Sequence, residues 1–364
     1  MSSAPVWLPA ALNAGHAYRD RVSAAAASVS GFYASRYGHS DRAVWEQRLA
    51  AGEIALNGRQ LRADAPLAAG DRLVWHRPPW QEAAVPVLRE HAVVFDDGDL
   101  LVLNKPSGLP VLPAGGFLRH TLLAQLEGWG AEGRIASSEG LPRPVHRLGR
   151  FTSGLLVCAR RSASRAWLSA LLRESTQAGE ASEPGGGRCR KLYRALTAPL
   201  PADWPVGETR SLHQPIGRRP HPRLGAIWCA AHPANPADPA DPVDPAALAA
   251  CSHFTLLERR GESCLLDVAI ASGRPHQIRI HAAALGSPLL GDPLYGTGGL
   301  ARPEALPGEG GYRLHAHRLV LTLADGRGLE LQAPPPQCLQ LEADMPPPGY
   351  GADQAFSKAS SREK

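Results

Sequence analysis

Apolar and polar positions along this chain change period several times, and each change marks an element. Val44, Trp45, Arg48 and Leu49 stand at helical spacing, with Ser40 placed to cap a helix through Leu49 and Gly52 to stop it. Ile54 and Leu56 followed by Asn57-Gly58 read as a strand entering a tight hairpin, and Leu73, Val74 and Trp75 as a closing strand. Ahead of this unit, the Ala-rich stretch from Ser23 to Ser30 reads as helix. Pro78, Pro79 and Pro86 mark a linker. Beyond it the pattern predicts strands over 92–95 and 100–104, joined at Asp97-Gly98. Farther on it predicts a strand over 265–271, a turn at Ser272-Gly273, and a helix from Pro275 to Leu285 stopped by Gly286.

The expected organisation is a small α/β unit over residues 1–85, a larger unit over 86–345 and a polar, disordered tail over 346–364. Two stretches interrupt the larger unit, 180–188 and 230–250. The second is a run of Pro, Ala and Asp that cannot build a packed core and is expected to be a mobile surface loop.

Composition narrows the class. With 364 residues, 44% hydrophobic and 20% charged, the chain can bury a sizeable core and is not globally disordered. No apolar run approaches the roughly 18 residues of a membrane span. The N-terminus lacks the charged-then-apolar order of a secretory signal, so a cytoplasmic setting is expected. Six cysteines form no C-x-x-C pair, which argues against a disulfide scaffold or a zinc module and for a reducing compartment. No P-loop or dinucleotide fingerprint is present. The net charge of +5 has the sign expected for a nucleic-acid partner and is also compatible with a solubilising surface. Among 39 basic residues only four are lysines, two of them in the tail, so Lys105 and Lys191 stand out.

Three segments combine dense polar residues with apolar flanks: 144–160, 190–196 and 265–296. In the third, Arg274, His276 and Arg279 cluster at the expected helix start, where unpaired backbone N–H groups would favour phosphate. The alternative is that they cap the helix and pair with nearby carboxylates.

Five pieces, in order, resemble the RluA/RluD family of RNA pseudouridine synthases: NKPSGLPV (104–111), HRLGRFTSGLLV (146–157), Lys191-x-Tyr193, GRPHQIRIH (273–281) and GDPLYG (291–296). The N-terminal unit is similar, more faintly, to the S-four-like RNA-binding module that often precedes this domain. The resemblance implies an α+β fold with a central bent, mostly antiparallel sheet flanked by helices and a cleft across its middle. It implies isomerisation of uridine to pseudouridine within ribosomal or transfer RNA, with no cofactor, metal or membrane, by a protein expected to be monomeric. The target base must leave the stack. Tyr193 matches the aromatic residue that supports it, at about 1–3 kcal/mol of stacking. Arg147 matches the residue that enters the RNA, and Thr152 belongs to the loop beside it. Lys105, His146, Arg150, Lys191, Arg274 and His276 are carried over as substrate contacts, and Arg279 as a catalytic-site residue.

One position departs from the family pattern. Its His-Arg-Leu-Asp-Arg motif reads His146-Arg147-Leu148-Gly149-Arg150 here, so the motif aspartate is replaced by a residue with no side chain. The bland reading is that Gly149 serves a backbone turn. By resemblance Arg279 would pair with the missing carboxylate, so another anion is expected beside it, since a desolvated guanidinium alone is costly. Asp292, Asp96, Asp97 and Asp99 are the candidates. Two further readings remain open: an inactive RNA-binding or RNA-folding protein on the same scaffold, and a metabolic enzyme acting on a free pyrimidine or a flavin precursor.

Overall fold

The computed structural model describes residues 6–135, 139–174, 188–231, 246–270, 273–306, 308 and 310–344. Most of the 180–188 stretch, residues 232–245 of the Pro/Ala/Asp run, Ser272 and the 346–364 tail lie outside the described residues. The ends of that run are paired rather than loose: Ala230 closes strand Gly225–Ala230, and Leu248 exchanges backbone hydrogen bonds of 3.0 and 2.9 Å with Ile216.

The N-terminal unit packs helices Val29–Arg36 and Arg42–Ala50 against a four-stranded sheet of His16–Arg21, Arg72–Arg77, Ile54–Leu56 and Arg59–Gln60. Its core joins Tyr33, Trp45, Leu49, Ile54, Leu73 and Trp75. The expected hairpin is present, with Asn57 and Gly58 at φ 51° and 84°. Two expectations fail here. The Ala-rich stretch is not a helix, because Ala26 exchanges backbone hydrogen bonds of 3.0 and 2.9 Å with Leu67 and leaves only the segment after Ser28 to coil. Asp41, not Ser40, caps the second helix: its carboxylate accepts from the Val44 N–H at 2.9 Å, while the Ser40 hydroxyl is engaged with His39. The expected linker is also partly paired. Trp7–Leu8 and Ala11–Leu12 run back along Val85–Pro86 and Gln81–Glu82, so a boundary at residue 85 falls inside a β ladder.

The larger unit is built on a ten-stranded sheet. Its path runs Thr209–His213, Cys251–Arg260, Ser263–Ile270, Cys189–Thr197, Leu314–Thr322, Thr152–Ala159, Leu100–Lys105, Val93–Asp96. Along that path the one parallel contact is between Thr152–Ala159 and Leu314–Thr322. The mostly antiparallel α+β architecture expected from the resemblance is therefore present. Thr152–Ala159 reads Thr-Ser-Gly-Leu-Leu-Val-Cys-Ala and is buried at all eight positions, as a strand covered on both faces must be. Gly154 lies at its parallel contact with φ 100°, where an added Cβ would overlap the Ala316 backbone.

Three apolar clusters fill this unit, one of them around Ile216, Ile227, Ile280, Leu294 and Tyr295; the other two meet along a seam. One gathers the strands around Leu101, Leu103 and Leu156 with helices Leu122–Ala131 and Ser162–Glu174. The other gathers Phe254, Leu266 and Val268 with Ile278 and Ala282 of helix Gln277–Ala284. Tyr193 packs against both and thus marks the seam between them. The register against Leu314–Thr322 shifts between Leu192 and Tyr193, a bulge that bends the strand and re-aims the side chain that follows. The helix expected from Pro275 begins two residues later, at Gln277, because His276 adopts a left-handed φ of 56°.

Candidate active site

A cleft of about 560 Å³ opens along the seam, within the size range of small-ligand sites. Of the eleven residues singled out in the sequence, nine line it: His146, Arg147, Gly149, Thr152, Lys191, Tyr193, Arg274, His276 and Arg279. They come from segments more than a hundred residues apart, joined by the sheet.

The loop before Thr152–Ala159 is pinned from two sides. Leu148 is buried in the first cluster, and the backbone N–H of Val157 donates to His146 Nε2 at 3.0 Å. Beside these anchors Arg147 and Gly149 are exposed to the cleft. The Arg147 guanidinium has no hydrogen bond or ion pair among the described residues, the state suited to receiving an outside anion. Burial pushes His146 down to about 3, so the ring is neutral.

On the facing wall, His276 Nδ1 lies 2.7 Å from the Tyr295 hydroxyl, which donates its single proton to the Trp228 carbonyl at 2.7 Å. His276 must therefore carry its proton on Nδ1, leaving a lone pair on Nε2. Burial first, and the Arg279 charge second, push it down to about 3. Lys191 donates to the Leu172 carbonyl at 2.9 Å, and burial lowers its pKa. Arg274 Nε reaches the Ala249 carbonyl at 3.0 Å.

Tyr193 presents its ring at the seam. Its hydroxyl meets no donor or acceptor among the described residues, and burial drives its pKa upward, so it stays a neutral phenol. A neutral aromatic face beside cations suits a flat, polar base.

Asp292 supplies the anion expected beside Arg279. Two bonds of 2.7 Å join Arg279 Nε and Nη2 to its carboxylate, with the side chains 3% and 0% exposed. Burial opposes the Arg279 charge, but the Asp292 bonds outweigh it and its pKa is raised. Asp292 Oδ1 also accepts from the backbone N–H of Leu294 and Tyr295, at 2.9 and 3.3 Å. It is fully engaged and does not line the cleft. The outward-facing phosphate cluster of Arg274, His276 and Arg279 is therefore not formed as expected, since Arg279 turns inward to this pair.

Asp96, Asp97 and Asp99 lie at the opposite end of the hairpin from Lys105. Asp96 pairs with Arg160 at 2.8 Å, and Asp99 accepts from the Arg161 N–H at 2.9 Å. No carboxylate belongs to the described lining.

Two expected substrate contacts stand elsewhere. Lys105 is fully buried and donates to the carbonyls of Pro106, Leu109 and Arg150 at 3.0, 2.8 and 3.0 Å. Arg150 holds the Gly108 carbonyl at 3.0 Å and stacks over Phe117 and Phe151 at 4.5 and 5.0 Å. Both tie the 105–109 loop to the 150–151 turn, behind the cleft wall. Lys105 reads as distinctive because three converging carbonyls require three protons on one atom.

Sequence reasoning missed Tyr312. Its ring lies 4.2 Å from the Arg279 guanidinium carbon, its hydroxyl 3.3 Å from Thr152 Oγ1, and it lines the cleft beside Gly149. A Cβ added to Gly149 would overlap that hydroxyl. Gly149 does open a turn, its carbonyl accepting from the Thr152 N–H at 3.1 Å, but its φ is not left-handed, so the turn alone does not require glycine; the space taken by Tyr312 does. The parallel register Thr152↔Leu314 brings these two positions side by side, and no local pattern announces it.

An α+β scaffold carrying a cationic cleft, with an aromatic face and neutral imidazoles, defines a protein that handles a nucleotide of a polyanionic chain. The family model for RNA pseudouridylate synthase matches residues 99–284. An RNA pseudouridine synthase of Synechocystis sp., described as uncharacterized, is 40% identical over 315 residues, covering 85% of this chain and 95% of its own. RNA pseudouridine synthase 5 of Arabidopsis thaliana is 38% identical over 374 residues, covering 92% and 96%. Among solved structures, human RNA Pseudouridylate Synthase Domain Containing 4 superposes with a TM-score of 0.51 at 21% identity, over 68% of this chain and 90% of that one; this likeness speaks to the fold. The chain belongs to the RNA pseudouridylate synthase family.

Proposed function

We propose that this protein isomerises uridine to pseudouridine in a structured ribosomal or transfer RNA, at the cleft described above and without a cofactor. The observation that carries this reading is the meeting of Tyr193 with Arg147, Arg274, Lys191 and Arg279 around one hollow of about 560 Å³. Arg147 and Arg274 offset phosphate charge as the RNA enters, Arg279 stays held by Asp292 in the wall, and the phenol ring receives the everted uracil. Neutral His146 and His276 contribute hydrogen-bonding edges without adding charge. The N-terminal unit serves as an RNA-binding module that adds affinity away from the cleft, and the chain works as a monomer. Its six free cysteines, five of them buried, fit a reducing cytoplasmic setting.

A second reading is favoured by one observation, the lack of a carboxylate in the described lining. On it, the protein binds or folds RNA on this scaffold without turnover. Nucleoside mass spectrometry of ribosomal and transfer RNA after incubation with the protein separates the two. Pseudouridine above the no-protein control supports isomerisation. Salt-dependent RNA binding with no product on any RNA supports the second reading.

A further inference from the structure

We infer that Tyr312 is a catalytic residue of this protein, its phenol oxygen taking the ribose-facing place left empty by Gly149. The inference rests on the isomerase reading and deepens it. Four observations on the cleft converge. The Tyr312 hydroxyl occupies the space into which a side chain at position 149 would project. Tyr312 lines the same hollow as Tyr193. The Arg279 guanidinium carbon lies 4.2 Å from the Tyr312 ring centroid, a cation–ring contact that fixes the ring against the cleft wall. Thr152 Oγ1, at 3.3 Å, can donate to the same oxygen. With Asp292 engaged by Arg279 and no carboxylate in the described lining, the Tyr312 hydroxyl is the group best placed beside Gly149 to act. Tyrosine serves as the nucleophile toward a sugar carbon in sialidases, so the chemistry is within a phenol's reach.

The step balances without an oxidant or reductant. The phenol oxygen forms a bond to C1′ of the target ribose as the bond from C1′ to uracil N1 breaks. The electron pair of that bond stays on uracil, and N1 takes up the phenol proton. The freed uracil turns in the cleft, and its C5 forms a new bond to C1′. The aryl ether bond breaks in the same step, its electron pair returning to the phenol oxygen. The hydrogen of C5 leaves as a proton and restores the phenol. Two displacements at C1′ return its original configuration.

The test compares pseudouridine formation by the full chain, its Tyr312→Phe variant, Gly149→Asp, and the Gly149→Asp/Tyr312→Ala double variant. Tyr312→Phe removes one oxygen and is expected to lose on the order of 10²-fold or more in rate. Its RNA affinity and unfolding midpoint should stay near wild type, which a merely structural role for the hydroxyl would not predict. Gly149→Asp alone should be impaired because the two side chains collide, and the double variant should regain activity through the introduced carboxylate. A Tyr312→Phe rate within about threefold of wild type overturns the tyrosine step and leaves the isomerase reading intact. A wild-type chain that makes no pseudouridine overturns both.

Discussion

Replacing Asp292 by Asn tests the electrostatic core of the cleft. The substitution keeps the shape of the side chain and an oxygen for the Leu294 and Tyr295 N–H groups, but removes the charge that answers Arg279. Both side chains are out of water, at 3% and 0% exposure, so solvent does little to screen the loss. Breaking a buried pair by removing one partner costs about 3–5 kcal/mol. Two aromatic rings temper it: the Arg279 guanidinium carbon lies 5.0 Å from the Tyr295 centroid and 4.2 Å from that of Tyr312. Each such contact contributes roughly 0.5–2 kcal/mol, although both are already present in the wild type and only limit how far Arg279 is driven to move. The expected loss is thus at the lower end, about 3 kcal/mol, or a fall of roughly 6–12 °C in melting temperature for a unit of this size. Urea titration followed by tryptophan fluorescence measures it, with Arg279→Met/Asp292→Leu as the companion. That double variant carries no stranded charge and should be more stable than Asp292→Asn alone. A loss below about 1 kcal/mol for Asp292→Asn would refute the reasoning, since it would mean that the pair is not desolvated.

Three other outcomes are expected. Lys105→Met leaves three carbonyls without a donor and should cost about 2–4 kcal/mol while leaving RNA affinity of the folded protein unchanged; a selective loss of RNA binding would restore its role as a substrate contact. Arg147→Ala should leave stability within about 0.5 kcal/mol and weaken RNA binding, lowering the slope of log affinity against log salt by about 1, as filter binding at several salt concentrations would show. Stability should also fall as pH drops from 6.5 toward 4. Burial holds His146 and His276 down at about 3 and His281 and His315 at about 4, so these rings take protons in the unfolded chain before the folded one. Each contributes up to about 1.4 kcal/mol per pH unit in that window, and urea midpoints that do not change between pH 7 and 5 would contradict this.

Local chemistry made part of the structure legible. Asn57-Gly58 and Asp97-Gly98 marked their hairpins because a tight turn needs residues tolerant of positive φ, a demand met within two positions. Helix Arg42–Ala50 was readable from its apolar spacing, though the capping group proved to be Asp41. The order of five short motifs was enough to expect the family, the mostly antiparallel sheet and a cleft holding Arg147, Tyr193 and Arg279.

What the chain alone did not disclose depends on contacts between distant segments. The stretch after Ser23 has helical propensity, yet Ala26 is taken by Leu67, a partner 41 positions away. Lys105 looked like a ligand for RNA, but three carbonyls close over it only once the 105–109 loop meets the 150–151 turn. Asp292 could be suspected beside Arg279, whereas its two further N–H bonds, which occupy it fully, exist only in the folded loop. Most of all, Gly149 and Tyr312 are neighbours because two strands far apart in the chain pair in parallel at Thr152 and Leu314. A missing side chain is visible in a sequence; the hydroxyl that fills its place is not, because steric exclusion acts through space and leaves no periodic trace.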